Sequence, residues 1–323
     1  MPRIQFGFGL PTRGPLSIPE NLVRLARRGD ELGFDFISVS DHVIIPRAIA
    51  SRYPYSTTGE FAVDPSGSYL EQLMVLAYIA AGTSRSRLLT SVMVVPQRPP
   101  VLTAKQLASL DVLSGGRLIL GIGAGWLREE FEALDAPWFD KRGTVTDEYL
   151  RAFKELWTSE EPAFDGDYTS FHDIAFAPKP VQQPHPPIWV GGESDAALRR
   201  TARLGDAWYP IGSNPRHPLG TTAQLASAID RLHAFAREAG RDPAEIDLAY
   251  SAGWYNDRDA ELDNAGHRRS FTGSPRQVAD DVHAFATLGV RHFGFGMIDG
   301  TLDGSLARLE RFANVVRPLI GGA

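Results

Sequence analysis

An α/β chain closed into a (β/α)8 barrel is the fold this sequence predicts, and three observations carry the prediction. Short apolar runs rich in β-branched and aromatic residues alternate with stretches of helical spacing along the whole chain. The alternation repeats eight times with no low-complexity linker between repeats, which favours a closed barrel over an open doubly wound sheet. At 323 residues, 43% hydrophobic and 22% charged, the chain has an ordinary globular composition and the length of one barrel with additions.

The first strand is expected over 4–10. The first helix follows over 19–33, where Pro19 suits an N-terminus and Leu22, Leu25 and Leu32 share a face. After a second strand over 36–39, a loop rich in Pro, Ser, Tyr and Arg runs over 41–64, far longer than the ~2–6 residues usual after a strand in α/β units. A helix over 68–81, a strand over 88–95 and a helix over 100–113 come next. Ser114-Gly115-Gly116 then turns the chain into a fourth strand over 118–122. A helix over 147–157 leads to residues 159–187, whose Pro162, Pro178, Pro180, Pro184, Pro186 and Pro187 mark an insertion. Short strands over 188–190 and 207–210 flank a helix over 195–204. A helix over 222–239, a strand over 246–253, a helix over 275–288, a strand over 292–297 and a helix over 302–319 complete the eight units. The whole of 1–323 reads as a single domain, with the 41–64 loop and the 159–187 insertion placed at the carboxyl face as candidate walls of a site.

Composition excludes several functions. With no cysteine, disulfides, thiolate zinc sites, iron–sulfur clusters and cysteine nucleophiles are all ruled out. The net charge is −6 and the charges are scattered, so no basic stripe exists to neutralise a nucleic-acid backbone. The start, MPRIQFGFGLPTRG, lacks the apolar core and cleavage site of a secretory signal, and no stretch reaches ~18 uncharged apolar residues. A cytoplasmic protein with no membrane and no nucleic-acid partner is expected. The eight histidines lie apart and no H-E-x-x-H, EF-hand, G-x-S-x-G or P-loop motif occurs, so no metal site is expected. Trp138, Trp157 and Trp208 read as packing residues.

In a barrel of this kind chemistry sits at the carboxyl ends of the strands, where three clusters lie. Ser40-Asp41-His42 follows the second strand; His42 could exchange a proton with a ligand, or the triplet could be an Asx-turn with a solvated imidazole. Gly121-Ile122-Gly123-Ala124-Gly125-Trp126 ends the fourth strand. Its spacing is not the dinucleotide fingerprint, and it fits either close approach of a ligand to the backbone or a tight rim turn. Ile188-Trp189-Val190-Gly191-Gly192 runs from strand to glycines to helix, whose free N–H groups could hold a phosphate or carboxylate.

Five stretches taken together extend over nearly the whole chain: FISVSDH at 36–42, LTSVMVVPQRP at 89–99, LDVLSGGRLILGIGAGWLREE at 110–130, PIWVGGESDAALRRTARLGDAW at 187–208 and GSPRQVADDVHAFATLGVRHFGF at 273–295. In these the chain resembles the luciferase-like flavin and deazaflavin oxidoreductases, and in Ser-Asp-His the branch that uses coenzyme F420. The resemblance implies a TIM barrel with a tricyclic cofactor ring across its carboxyl face. It implies that Asp41 touches the cofactor, that His42 is the acid–base residue, and that a non-prolyl cis peptide at Ser91-Val92 bulges against the ring. Val190, Gly191 and Gly192 would take the cofactor phosphate on backbone amides, with Gly123 and Gly125 beside it. Sugar-phosphate dehydrogenases of the family carry Glu where this chain has Trp126, so sugar phosphate is a poor substrate guess, and no cofactor contact is carried onto Glu129.

The function implied is an F420-dependent oxidoreductase that moves hydride between the deazaflavin and a small organic substrate. Two alternatives stand beside it: an FMN-dependent luciferase-like monooxygenase fed by a separate reductase, and a cofactor-binding barrel without turnover. Relatives of this kind also suggest a homodimer.

Overall fold

The computed structural model describes residues 3–64, 67–263 and 266–321. Eight parallel strands close a barrel: β1 (Gln5–Gly9), β2 (Phe36–Val39), β3 (Arg87–Thr90, resumed at Met93–Val94), β4 (Leu118–Gly123), β5 (Ile188–Gly191), β6 (Ala207–Tyr209), β7 (Asp247–Ala252) and β8 (Val290–Phe295). β1 pairs with both β8 and β2, and the ring shuts where Leu88 and Leu89 of β3 face Leu118 and Ile119 of β4. This is the expected (β/α)8 TIM barrel.

The strands are buried on both faces, which explains their near-continuous apolar runs. Period-two alternation sorts them into two cores. Phe36, Leu89, Ile119, Trp189 and Tyr209 fill the barrel, while Ile37, Leu88, Leu120, Ile188 and Val190 pack outward against the helices. The Phe36 ring dictates its neighbour, since a Cβ on Gly7 would lie 2.2 Å from it.

The helices are α1 (Pro19–Glu31), α2 (Gln72–Ala80), α3 (Pro100–Leu113), a short α4 (Arg128–Ala133), α5 (Arg142–Thr158), α6 (Asp195–Leu204), α7 (Thr222–Glu238), α8 (Pro275–Thr287) and α9 (Leu302–Arg311), the last running on through a π turn at Phe312–Val316. Capping boxes start α7 (Thr221 with Gln224) and α8 (Ser274 with Gln277). Trp157 and Trp208 are fully buried, and Trp138 meets Tyr168 edge-on at 5.0 Å. Among the described residues no helix is long and apolar enough to cross a membrane, and no three His, Asp or Glu gather as a metal set.

Four expectations need correction. The expected strand over 88–95 is broken at Ser91-Val92, a cis peptide. Before the break β3 pairs with β2 and β4; after it, Met93 and Val94 pair with β4 alone because β2 has ended at Val39. The helix expected from 68 starts at Gln72, because Tyr69 and Leu70 are drawn to the chain after β1, where Leu70 N donates to Thr12 O at 2.9 Å. The helix expected over 147–157 begins at Arg142, and α4 precedes it.

The fourth concerns the 159–187 insertion, which is not a wall at the carboxyl face. It links a helix to the next strand, so it ends at the amino end of the barrel. There Gln182 donates through Nε2 to Asp111 Oδ1 and Leu118 O, both at 2.7 Å, and accepts from Arg87 at 2.8 Å. Its hairpin (Phe164–Asp165, Ser170–Phe171) is held against α5 by Glu148, whose carboxylate accepts the amides of Asp167, Tyr168 and Thr169 at 2.7–2.9 Å.

A similar carboxylate clamp secures the entry to β3. Asp30, at the end of α1, is buried and accepts the amides of Ser84, Arg85 and Ser86 at 2.6–3.0 Å. Burial alone would raise its pKa, but these amides outweigh it and hold the carboxyl at about 2. Because the folded value lies below the unfolded value of ~3.9, the stabilisation is complete above about pH 4 and is lost as pH falls through about 2. Asp30→Ala is expected to destabilise the fold by about 2–4 kcal/mol at neutral pH and to remove this acid-sensitive component. Urea unfolding of both proteins between pH 2 and pH 7 checks it; parallel stability curves would refute the clamp.

Candidate functional site

At the carboxyl ends of β2 to β6 lies a cavity of about 590 Å³, within the range of small-molecule and cofactor sites. His42, Asp41, Ser91, Val92, Gly123, Gly125, Gly191 and Gly192 all line it. Val190 does not: its side chain is fully buried in the layer between barrel and helices, against Gly205.

His42 is half-buried. Its Nδ1 lies 2.9 Å from Oε2 of Glu130, whose Oε1 accepts the amides of Val43 and Ile44 at 2.7 and 3.3 Å. Burial pushes the Glu130 carboxyl up, but the hydrogen bond and charge of His42 and the two amides prevail and hold it below its ordinary value. An ionised carboxylate can only accept, so Nδ1 carries the proton of the neutral ring. Nε2 has no partner among the described residues and is the atom free to exchange a proton in the cavity. Sequence reasoning missed Glu130, which lies 88 residues from His42, and assigned no helix to Arg128–Ala133.

Asp41 lines the cavity, but its carboxylate is already engaged. Oδ1 and Oδ2 receive Arg98 at 2.7 and 2.8 Å, and Oδ2 also accepts the Val94 amide at 2.8 Å. The side chain thus ties the end of β2 to the resumed half of β3. Between them Ser91 Oγ meets Tyr209 OH at 3.1 Å, and the Val92 side chain projects between the ends of β4 and β5. A Cβ on Gly123 would lie 2.8 Å from Val92 Cγ2, and one on Gly191 3.0 Å from Val92 Cγ1. Both strands must end on glycine to admit this bulge.

Beyond it, Gly192 has φ 104, a conformation that suits glycine alone, and Ser194 caps the ten-residue α6 by accepting from Ala197 N. Gly191, Gly192, Ser194, Ala197 and Arg200 line this end. Arg200 is anchored by Asp147 and donates to Gly143 O at 2.8 Å. Arg142 donates to Gly125 O at 3.0 Å and Phe139 O at 2.9 Å, with burial pushing its pKa down.

The 41–64 loop forms the opposite half. Glu129 clamps it by accepting the amides of Ala50 and Ser51 at 2.6 and 3.0 Å; although burial opposes ionisation, these bonds and the Ser51 hydroxyl hold the carboxyl at about 2. The clamp packs Tyr53 and Phe61 against Trp126, with ring centroids 5.1 Å apart in each pair, and Phe61 lies 5.1 Å from the His42 ring.

The sequence profile of the luciferase-like monooxygenases matches residues 4–262. The chain belongs to that family. It is 32% identical over 245 residues to an uncharacterised protein of Mycobacterium tuberculosis, covering 76% of this chain and 81% of the relative. It is 29% identical over 296 residues to the FMNH2-dependent dimethylsulfone monooxygenase of Pseudomonas putida, covering 77% and 78%. The F420-dependent tetrahydromethanopterin reductase of Methanopyrus kandleri superposes with a TM-score of 0.76 over 98% of this chain and 99% of that one, at 17% identity, a likeness of fold.

The His42–Glu130 contact predicts a tautomer. In the neutral ring, ¹⁵N spectra of histidine-labelled protein should show Nδ1 protonated and Nε2 bare, and Glu130→Ala should abolish that preference. A wild-type ring protonated on Nε2 would contradict the assignment.

Proposed function

We propose that this protein is an F420-dependent oxidoreductase in which hydride passes between the deazaflavin and a small organic substrate while His42 handles the accompanying proton. The observation that carries the reading is one cavity uniting an imidazole with a free Nε2, the Ser91-Val92 bulge and the Gly191-Gly192 turn at the start of α6.

The residues fit such a cofactor. The side-chain oxygen of Gln97, which also lines the cavity, is buried with no partner among the described residues, so a ligand group has a polar atom to meet. Gly191, Gly192 and the first turn of α6 present backbone amides to an anionic tail, with Arg200 beside them and Arg142 close by. Bound there, the deazaflavin supplies two-electron hydride chemistry. The chain's own part is to orient both partners, to exclude water under the Glu129-clamped loop, and to give or take at Nε2 the proton that charge balance requires. Glu130 keeps that nitrogen directed into the cavity.

A second reading, an FMN-dependent monooxygenase supplied by a separate reductase, draws support from the similarity to the dimethylsulfone monooxygenase. Fluorescence titration of the purified protein separates the two. Saturable binding of F420 that is tighter than that of FMN is expected; no response to F420, or tighter FMN binding, rejects the first reading. With F420 and a turned-over substrate, His42→Ala should lower turnover by about 10²–10⁴-fold while leaving cofactor affinity within about threefold. Unchanged turnover would remove His42 from the mechanism.

A further inference from the structure

The cavity divides by chemistry. One half holds the glycine-ended strands, the start of α6, Arg142 and Arg200; the other is aromatic, with Arg13 at its edge, and Asp41, His42 and Glu130 also line the cavity. Away from Arg13, the two carboxylates and Arg200 have charged partners. Asp41 is paired with Arg98, Glu130 with His42 and two amides, and Arg200 with Asp147, whereas Arg142, in the glycine half, donates to two carbonyls. Among the described residues, no carboxylate lies within ion-pair distance of Arg13.

Its position is set by the fold. The segment that leaves β1 is held to the far end of the loop by the Thr12–Leu70 hydrogen bond and the Arg13–Tyr69 bridge. From there the exposed guanidinium stands 5.9 Å from the centre of the Phe61 ring, at the mouth of the aromatic half. It is also close enough to Tyr53 for its charge to oppose the rise that burial imposes on that phenol.

We propose that the organic substrate is an anion with a flat apolar body, a carboxylate on an aromatic or unsaturated framework, whose charged end is held by Arg13 while the body lies against the packed cluster of Tyr53, Phe61 and Trp126 and reaches toward His42. The inference rests on the functional reading above, in which the glycine half takes the cofactor. A guanidinium presents paired donors in a plane that matches a carboxylate. The aromatic rings offer a large, stiff contact surface for a flat body. With the neighbouring carboxylates already engaged, an incoming anion finds no competing counter-ion on Arg13 and little repulsion from Asp41 or Glu130.

The test is isothermal titration of the protein, without added cofactor, with 2-naphthoate and with its neutral isostere 2-naphthamide. Wild type is expected to prefer the carboxylate by about tenfold, the discount for an exposed charge included. Arg13→Gln should erase the preference while leaving amide binding unchanged, which also reports an intact pocket, and Arg13→Lys should keep part of it. Equal affinity of wild type for the two probes, a preference that survives Arg13→Gln, or failure of both probes to bind would each overturn the proposal. Because no cofactor is present, a failed F420 titration would leave the outcome readable and would count against the functional reading alone.

Discussion

The buried carboxylate of Asp41 is the interaction on which the cavity depends. Its two oxygens collect the Arg98 guanidinium and the Val94 amide, and the residue sits between the last residues of β2 and His42. Together with the Ser91 amide, which donates to Val39 O at 2.8 Å, these contacts hold the end of β2 to the chain on both sides of Ser91-Val92. Removing one partner of such a pair typically costs about 3–5 kcal/mol, because the other charge stays buried and uncompensated. Asp41 therefore acts on the site by construction: it places His42 and the Val92 bulge on neighbouring walls.

The bulge in turn constrains strands far away in sequence. Val92 occupies the space a side chain would need on Gly123 and on Gly191, so three consecutive barrel strands end in mutually dependent shapes. Gly123 and Gly191 thus share one steric cause, accommodation of Val92, whereas Gly121 faces Thr90 O, and Gly125, at φ 85, faces Val94 and Phe131. Helix α4 provides a second linkage. Its adjacent residues Glu129 and Glu130 point to different tasks, one clamping the loop and the other holding the imidazole and the chain just after it. The 41–64 loop and the His42 ring are thus fastened to the same short helix.

Features that follow from period and steric demand were legible in the sequence. The eight strands, the bounds of α3 and α6, and the convergence of Asp41, His42, Ser91, Val92 and the glycines all follow from apolar alternation and from strand ends that share one face of a barrel. Features decided by long-range polar contacts were not. Tyr69 and Leu70 have good helical spacing, yet the backbone after β1 offers them a partner. The proline-rich run was recognisable as an insertion, while its side of the barrel follows from its lying between a helix and a strand, a topological fact that overrides composition. Glu130 lies in the short α4 after the GAGW rim, and its partners, His42 and the amides of Val43 and Ile44, come from 86–88 residues earlier, so no local pattern marks it.

The same division explains why the glycine half of the cavity was easier to read than the aromatic half. Strand ends and a capped helix are rigid and recur wherever the barrel is built, so their glycines and backbone amides carry a readable pattern. The aromatic half comes from a long irregular loop and from the first residues after β1, which tolerate change without disturbing the barrel. There, identity rests on single side chains such as Arg13, Tyr53 and Trp126, and no periodicity marks them. A fold shared with reductases and monooxygenases alike therefore constrains the redox partner more than the molecule it acts on. For that molecule the informative features are local: a guanidinium with no carboxylate partner among the described residues, a wall of rings, and an imidazole whose Nδ1 is held by Glu130.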